Sequence, residues 1–400
     1  MSGSAITRIF RRTPLIVLIA LLLTLTSCSE GGAPQGEAYR IRGEIEGLGD
    51  ATLYYIWTDE SSPIGFGRDT VDAVDDRFEI RGRSAETMML MVMPRIEALN
   101  RVLPDGRYIP PRPLQLFVYP GADIRIEGRI ERDLTAFATD GGLNDDLTTL
   151  ERVTQPMEHT LTELNYQRVI ALQTGAVERA DSLLARLEEQ AAELRSGQER
   201  FIQEHPTSVV SAWLLDTALS TELTFEELDT YWASLTEEVR SHPLAAPLRA
   251  KLEGQRATAL GRTAPLFERT GVDGRPVRLA DHRGRWVILD FWASWCGPCI
   301  QGIPEMKRYY EKYRDRLEII SIAVNDQPDE WRAAIQEHVL PWVHLNDDQG
   351  TVPMEVTQQY AIEALPTKII LDPEGRVVYK LVGESEEFYQ ELDRLLGEGR

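Results

Sequence analysis

Three hydrophobic patterns follow one another along this chain of 400 residues. In the first, apolar and polar residues alternate, as in Tyr39–Glu46, and turn signals such as that at residues 120–123 separate the short runs. Alternation with a period of two indicates strands that are buried on one face. We therefore expect a small antiparallel domain over residues 38–132 that is β-sandwich-like or a barrel.

The second pattern is helical and covers residues 140–258. Its longest stretch, Glu178–Gln203, is rich in residues that favour helices, and its leucines recur at helical spacing. Pro206 predicts the end of one helix, and Thr224 followed by Glu227 is a capping-box pattern that predicts the start of another. We interpret this region as a helical domain or linker.

The third pattern is mixed α/β and covers residues 259–400. Trp286–Phe291 and Leu317–Val324 are mostly apolar runs, which are typical of parallel strands covered on both faces. A helical pattern follows each run, so right-handed βαβ connections are expected. The other predicted elements are helices over 300–313 and 329–338, a hairpin over 367–371 and 377–382, and a last helix over 384–396.

Composition and charge narrow the class of protein. Hydrophobic residues make up 42% of the chain and charged residues 27%, which is ordinary for globular domains. The formal net charge is −21, and an acidic chain repels phosphate backbones, so no nucleic-acid partner is expected. Three cysteines are too few for a scaffold held together by disulfides.

The first 27 residues predict an export signal. A basic region with three arginines precedes an apolar run of about a dozen residues, fewer than the ~20 that a spanning helix needs. The run closes with Leu25–Cys28, which resembles the lipobox of bacterial lipoproteins. That resemblance implies cleavage before Cys28, lipidation of Cys28 and a flexible tether over residues 28–37. The alternatives are an ordinary cleaved signal or a single-pass anchor.

The other two cysteines form the pattern Cys296-Gly297-Pro298-Cys299 between a predicted buried strand and a helix. A C-x-x-C pattern beside a βαβ unit indicates a redox dithiol. Cys296 is expected at the helix N-terminus, where unpaired N–H groups and the helix dipole favour the thiolate. Cys299 is expected one turn deeper, where it can attack a mixed disulfide formed at Cys296.

Other uses of a cysteine pair fit this chain less well. A zinc site needs two more ligands, and His338 and His344 lie roughly 40 residues beyond Cys299, where a finger has about 12–15. A c-type haem site needs a histidine directly after the second cysteine, and Ile300 stands there. A purely structural disulfide across two residues would be strained and would close a trivial loop. The redox interpretation is therefore favoured.

The residues around the cysteines also resemble a known family. Asp290–Cys299 is similar to the thioredoxin active-site segment, and Leu365–Thr367 resembles its cis-proline loop. Ala264–Leu279 resembles the opening of the membrane-anchored TlpA/ResA-like thiol–disulfide oxidoreductases. This resemblance implies an α/β thioredoxin fold for residues 259–400 of a multi-domain chain. Residues 38–130 resemble the β domain that precedes such modules in Bacteroidetes-type lipoproteins.

The resemblance also implies roles for individual residues. Cys296 matches the nucleophile, Cys299 the resolving thiol, and Asp290 the buried carboxylate that exchanges a proton with Cys299. The alternative interpretation is that Asp290 is a buried acid with a structural role. Burial should raise the pKa of Asp290 and so make its carboxylate more basic. The implied substrate-binding residues are Trp295, Gly297, Pro298, Leu365 and Pro366, the last with a cis peptide bond.

The resulting hypothesis is an extracytoplasmic, lipid-anchored oxidoreductase that reduces periplasmic protein disulfides, including those met in cytochrome c maturation. It implies protein thiols and disulfides as substrates and a membrane thiol-reductant as partner. It implies no metal, and no cofactor besides the Cys296–Cys299 disulfide. The alternatives are a disulfide isomerase or oxidase, and a ligand-binding lipoprotein with a sensory dithiol. A peroxiredoxin would need threonine three residues before Cys296, where Ala293 stands.

Overall fold

The computed structural model describes residues 36–58, 66–348 and 354–397. These residues divide into two compact units. The residues before Ser220 form the first unit together with Tyr231–Leu244, and Ser220–Thr230 and the residues from Ala245 onward form the second. The predicted signal segment and Cys28 lie outside the described residues. Within the described ranges, no helix combines the length and the apolar character that crossing a membrane requires.

The first unit begins with strands. These are β1 (Glu37–Glu46), β2 (Thr52–Thr58), β3 (Phe66–Asp72), β4 (Arg77–Ser84), β5 (Met88–Pro94), β6 (Arg101–Val102), β7 (Tyr108–Ile109), β8 (Leu114–Val118), β9 (Asp123–Ile130) and β10 (Leu134–Thr139). Two four-stranded sheets have the orders β10-β9-β1-β4 and β3-β2-β5-β8. Buried apolar residues of both sheets form one core. The predicted all-β region is thereby confirmed.

Strand β1 shows how the alternating pattern forms this core. Tyr39, Ile41 and Ile45 are buried, whereas the polar residues between them are exposed. The expectation of a purely antiparallel domain is wrong at one pair, because β1 runs parallel to β9 with Ile41 opposite Ile124. A parallel pair needs a long crossover connection. Here that connection passes through the whole second sheet, which a local pattern does not reveal.

Helices follow the strands, as predicted. They are α1 (Leu143–Gln173), α2 (Val177–Glu204), α3 (Val209–Leu214), α4 (Phe225–Ser234), α5 (Glu237–Ser241) and α6 (Ala246–Ala257). Helices α1 and α2 pack through a small cluster that includes Leu164 and Leu183. The amide of Glu227 donates to Thr224 Oγ1 and the amide of Thr224 donates to the Glu227 carboxylate, so the predicted capping box starts α4.

The second unit contains the mixed α/β region. Its elements are β11 (Glu268–Thr270), β12 (Pro276–Arg278), β13 (Trp286–Trp292), α7 (Gly297–Tyr313), β14 (Leu317–Ala323), α8 (Pro328–Glu337), β15 (Val343–Asn346), α9 (Glu355–Gln359), β16 (Thr367–Leu371), β17 (Val377–Val382) and α10 (Glu386–Gly397). Five strands form a sheet of order β15-β14-β13-β16-β17. Strands β13, β14 and β15 are parallel, and β16 and β17 join antiparallel. This is the predicted thioredoxin-type arrangement.

Both faces of the five-stranded sheet are covered. Ile288 and Trp292 of β13 belong to a cluster with residues of α7 and α10. Leu289 and Phe291 belong to a second cluster on the opposite face, with Tyr360 after α9. Alternate residues of one strand therefore serve two cores, which explains the continuous apolar run in the sequence.

Helix α6 belongs to the same unit as this sheet. Gly254 of α6 lies against the end of α9, where a Cβ atom would come within 2.8 Å of the Gln358 carbonyl oxygen. Lys251 of α6 also forms an ion pair of 2.8 Å with Glu363. The last helix of the helical region thus packs on the redox fold, although the sequence pattern changes only after it.

Candidate active site

The Cys296–Cys299 pair lies where β13 leads into α7. Cys296 is the N-cap residue of α7, and its Sγ accepts a hydrogen bond of 3.3 Å from the Cys299 backbone N–H. The two cysteines form a disulfide with their Cα atoms 5.3 Å apart. Only 5% of Cys296 and 6% of Cys299 is exposed. The predicted position of Cys296 at the start of the helix is confirmed.

This position favours an anionic sulfur when the disulfide is reduced. The N-terminus of a helix carries unpaired N–H groups and the positive end of the helix dipole. Helix α7 is 17 residues long, and the Cys299 N–H points at Cys296 Sγ. A thiolate at Cys296 therefore receives stabilisation that a thiolate at Cys299, inside the first turn, does not receive to the same degree.

Exposed residues surround the buried cysteines. Gly297 and Pro298 are exposed in the first turn of α7, and 59% of Trp295 is exposed. The Trp295 Nε1–H donates to the Asn325 carbonyl oxygen at 2.7 Å. Trp292, in contrast, is buried in the core. A partner protein can therefore contact the rim of this site while Cys296 lies just beneath it.

Asp326 supports the loop that precedes the cysteines, and sequence analysis missed it. Its carboxylate accepts hydrogen bonds from the Ser294 backbone N–H at 2.6 Å and from Ser294 Oγ at 2.7 Å. Asp326 follows β14, next to Asn325, whose φ is +51°. The available signal was an acid three residues after the end of a buried parallel strand, because such strand ends lie near ligand sites in α/β sheets.

The predicted cis-proline loop lies beside the same core. The Leu365–Pro366 peptide bond is cis, as expected. Pro366 is buried, and Leu365 packs against the cluster that contains Cys296 and Cys299. The fold thus brings together two segments that are about 70 residues apart in the chain. Their roles in substrate binding stay predictions.

Asp290 lies in β13 on the face that α7 covers. The exposed fraction of its side chain is 11%, and its Oδ2 accepts a hydrogen bond of 2.8 Å from Ser321 Oγ. Burial raises the pKa of Asp290 above its ordinary value, and the Lys368 ammonium and the Ser321 hydroxyl oppose that rise. A carboxyl group with a raised pKa is a better proton acceptor near neutral pH than an exposed one.

A row of polar side chains crosses the sheet at the level of Asp290. His344 of β15, Ser321 of β14, Asp290 of β13 and Lys368 of β16 stand at matching register positions. Burial lowers the pKa of His344 to about 4, so this imidazole is neutral at pH 7. Within the described ranges, no cluster of three or more His, Cys, Asp or Glu residues is arranged to hold a metal ion.

Comparisons with known proteins agree with this geometry. Residues 260–380 match the AhpC/TSA family. The thiol-disulfide oxidoreductase ResA of Bacillus cereus is 32% identical over 126 residues, which are 31% of this chain and 70% of that protein. ResA of Geobacillus thermodenitrificans is 31% identical over 142 residues, which are 35% of this chain and 79% of that protein. This chain belongs to the family of ResA-like thiol–disulfide oxidoreductases.

Solved structures match the same part of this ResA-like protein. The thioredoxin domain of a thiol-disulfide oxidoreductase from Bacteroides vulgatus is 27% identical, with 34% of this chain and 97% of that chain covered and a TM-score of 0.32. A thiol-disulfide oxidoreductase from Bacteroides fragilis is 30% identical, with coverages of 34% and 99% and a TM-score of 0.31. The sequence matches therefore show that this chain is a thiol–disulfide oxidoreductase of the thioredoxin superfamily.

Proposed function

We propose that this protein reduces disulfide bonds of other proteins outside the cytoplasm, from a membrane surface to which a lipid on Cys28 attaches it. The observation that carries the proposal is the Cys296–Cys299 disulfide at the N-terminus of α7, with the buried Asp290 on the neighbouring strand. The exposed Trp295 next to Cys296 offers a surface for a protein substrate.

Reduction proceeds in two exchanges. The Cys296 thiolate attacks one sulfur of the substrate disulfide, and the released substrate thiolate takes a proton from water. Cys299 then attacks the Cys296 sulfur of the mixed disulfide, which breaks the bond to the substrate and forms the Cys296–Cys299 bond. Two electrons pass from the two enzyme cysteines to the substrate disulfide, and both substrate sulfurs leave reduced.

Asp290 serves the second exchange. Cys299 must lose its proton in a poorly solvated place, where burial makes a thiolate costly. Asp290 is on the sheet face that α7 covers, and its carboxylate accepts this proton directly or through one water. Burial raises the pKa of Asp290, which favours that role.

The electrons come from a partner. The chain has three cysteines, and Cys28 is the predicted lipid site, so Cys296 and Cys299 have no further cysteine pair to draw on. A membrane thiol reductant therefore restores the dithiol after each cycle. Cysteine pairs of exported proteins, including those that receive haem in cytochrome c maturation, are the proposed substrates.

Insulin reduction tests the reaction. The purified full chain with dithiothreitol is expected to precipitate insulin faster than dithiothreitol alone, whereas the Cys296→Ser variant is not. The Cys299→Ser variant is expected to accumulate a mixed disulfide at Cys296, visible by mass spectrometry. Equal rates for the parent chain and Cys296→Ser would overturn the proposed reaction. A measured Cys296–Cys299 potential near that of a strong oxidant would favour an oxidase instead.

Attachment to the membrane through Cys28 needs a separate test. Cells that express the full chain with an alkyne-labelled fatty acid are expected to yield labelled protein in the membrane fraction. The Cys28→Ala variant should lose the label, and the Cys299→Ala variant is the matched control that should keep it. Label retained by Cys28→Ala would contradict lipidation at this residue.

A further inference from the structure

A buried lysine that sequence analysis did not select lies beside Asp290. Lys368 of β16 stands directly opposite Asp290 of β13 in the antiparallel register, and its side chain is 2% exposed. Its Nζ is 3.8 Å from Asp290 Oδ1 and 2.5 Å from Glu384 Oε2. The ammonium group therefore bridges two carboxylates, which offsets the cost of burying its charge.

Glu384 is held against the helix that carries Cys299. Its Oε1 accepts a hydrogen bond of 2.7 Å from the Tyr389 hydroxyl. A Cβ atom at Gly302 of α7 would clash with Glu384 Oε2, so the missing side chain makes room for this carboxylate. Glu384 is 21% exposed and thus reaches the solvent. The geometry fixes Lys368 at one place between Asp290 and Glu384.

The charges around Asp290 act in opposite directions. The Lys368 ammonium lowers the pKa of Asp290 because it favours the charged form, and the Glu384 carboxylate raises that pKa. Further groups that face this cluster are Ser321 of β14 and Tyr389 of α10, and the Phe388 ring centroid lies 5.9 Å from Lys368 Nζ. The Lys368 ammonium and the Glu384 carboxylate therefore both influence the protonation of Asp290.

We propose that Lys368, held by Glu384, is a positioning residue that sets the pH above which Asp290 accepts the proton of Cys299. This inference rests on the proposed function, because it assigns no new reaction step. The proton moves from Cys299 to the Asp290 carboxylate, the Cys296–Cys299 bond forms, and the bond between Cys296 and the substrate breaks.

The test is the pH dependence of mixed-disulfide decay. The reduced full chain is mixed with an excess of a disulfide-linked peptide, quenched with acid, alkylated and weighed by mass spectrometry at a series of pH values. Lys368→Met removes the ammonium, so the rise of the decay rate is expected at higher pH than in the parent chain. Glu384→Gln removes the opposing charge, so the rise is expected at lower pH. A profile that moves by one pH unit changes the rate at a fixed acidic pH about tenfold.

Lys380→Met is the matched control. Lys380 lies in the neighbouring strand β17, and its Nζ contacts the Tyr360 carbonyl oxygen at 3.3 Å, on the opposite face of the sheet from Lys368. The pH profile of mixed-disulfide decay in Lys380→Met is expected to follow that of the parent chain. Profiles of Lys368→Met and Glu384→Gln that move in opposite directions support the proposal, because a merely structural loss would slow both without moving them apart.

Several outcomes overturn the proposal. Profiles that stay in place, or that move in the same direction for both variants, contradict it while exchange by the parent chain still supports the proposed function. If Lys368→Met does not fold, Glu384→Gln decides alone, and a rise at unchanged or higher pH contradicts the inference. If the parent chain forms no mixed disulfide, the proposed function and this inference fail together.

Discussion

The two faces of the five-stranded sheet are built from neighbouring residues of the same strands, yet their chemistry differs. On one face Leu289, Phe291 and Tyr360 belong to a cluster of apolar and aromatic side chains. On the other face Asp290 and Lys368 bring buried charges into the sheet, next to the helix with the two cysteines. A step of one residue along β13 thus separates a face packed by apolar and aromatic side chains from a face on which buried charges and the two cysteines lie beside a second apolar core.

The apolar face offers the largest expected effect. Phe291 is fully buried, and its ring centroid lies 5.7 Å from that of Tyr360. Phe291→Ala is expected to lower the free energy of unfolding by about 3–5 kcal/mol, because it removes a large side chain and leaves a cavity. Denaturant unfolding followed by tryptophan fluorescence measures this loss. The folded fraction should still exchange disulfides at the parent rate, and a slower exchange would mean that the two faces are not separable.

A substitution on the face with Asp290 should change the rate of disulfide exchange. Asp290→Asn keeps the shape of the side chain but removes its basicity, so decay of the mixed disulfide at neutral pH should slow by up to ~10²-fold. Formation of the mixed disulfide at Cys296 should stay close to the parent rate. Quenched-flow mass spectrometry measures both steps. Equal decay in variant and parent would show that Asp290 is a structural acid and that water takes the proton.

The same substitution should stabilise the fold in a pH-dependent manner. Because the folded-state pKa of Asp290 is raised, the protein loses stability as the pH rises from the unfolded-state pKa through the folded-state pKa. Asp290→Asn removes that loss, so its gain should be largest at neutral pH and vanish in acid. A difference of one between the two pKa values contributes about 1.4 kcal/mol. Unfolding at several pH values measures the gain, and a gain that grows in acid would contradict the raised pKa.

Ser321 gives the smallest expected effect. Its hydroxyl donates to Asp290 Oδ2 and accepts from Trp342 Nε1, each at 2.8 Å. Ser321→Ala leaves both groups without this partner, so a loss of about 1 kcal/mol in the free energy of unfolding is expected. Ser241→Ala, at an exposed helical serine, is the matched control. Denaturant unfolding that gives the same midpoint for both variants would show that the polar row adds nothing to stability.

Much of the redox site was predictable from local sequence. The run Trp286–Phe291 predicted a strand buried on both faces, and this burial placed Asp290 inside. The position of Cys296 at a helix start followed from the residues on either side of it, and the resemblance around Pro366 implied the cis bond that the structure contains. These features depend on short segments, so a local pattern carries them.

The partners of Asp290 were not predictable in the same way. Lys368 is 78 residues from Asp290, and only the antiparallel register of β13 and β16 places them opposite each other. A single lysine in a strand usually extends its charged end to solvent, so the pattern gave no reason to bury it. Glu384 was predicted as the first residue of the last helix, whereas α10 begins at Glu386 and Glu384 turns inward to Lys368. Strand register and loop geometry depend on the tertiary structure, so a local sequence pattern does not reveal them.

If substrates dock at Trp295 as proposed, the hydrogen bond from Trp295 to the Asn325 carbonyl oxygen bears on their affinity. An exposed indole on a free side chain would lose rotational freedom when a partner protein covers it, at a cost of about 0.5–1.5 kcal/mol. Because the hydrogen bond already fixes the Trp295 indole against the loop after β14, most of this rotational freedom is lost before a partner binds. In the proposed function the indole is thereby a preorganised contact, which lowers the entropic cost of docking without taking part in sulfur chemistry.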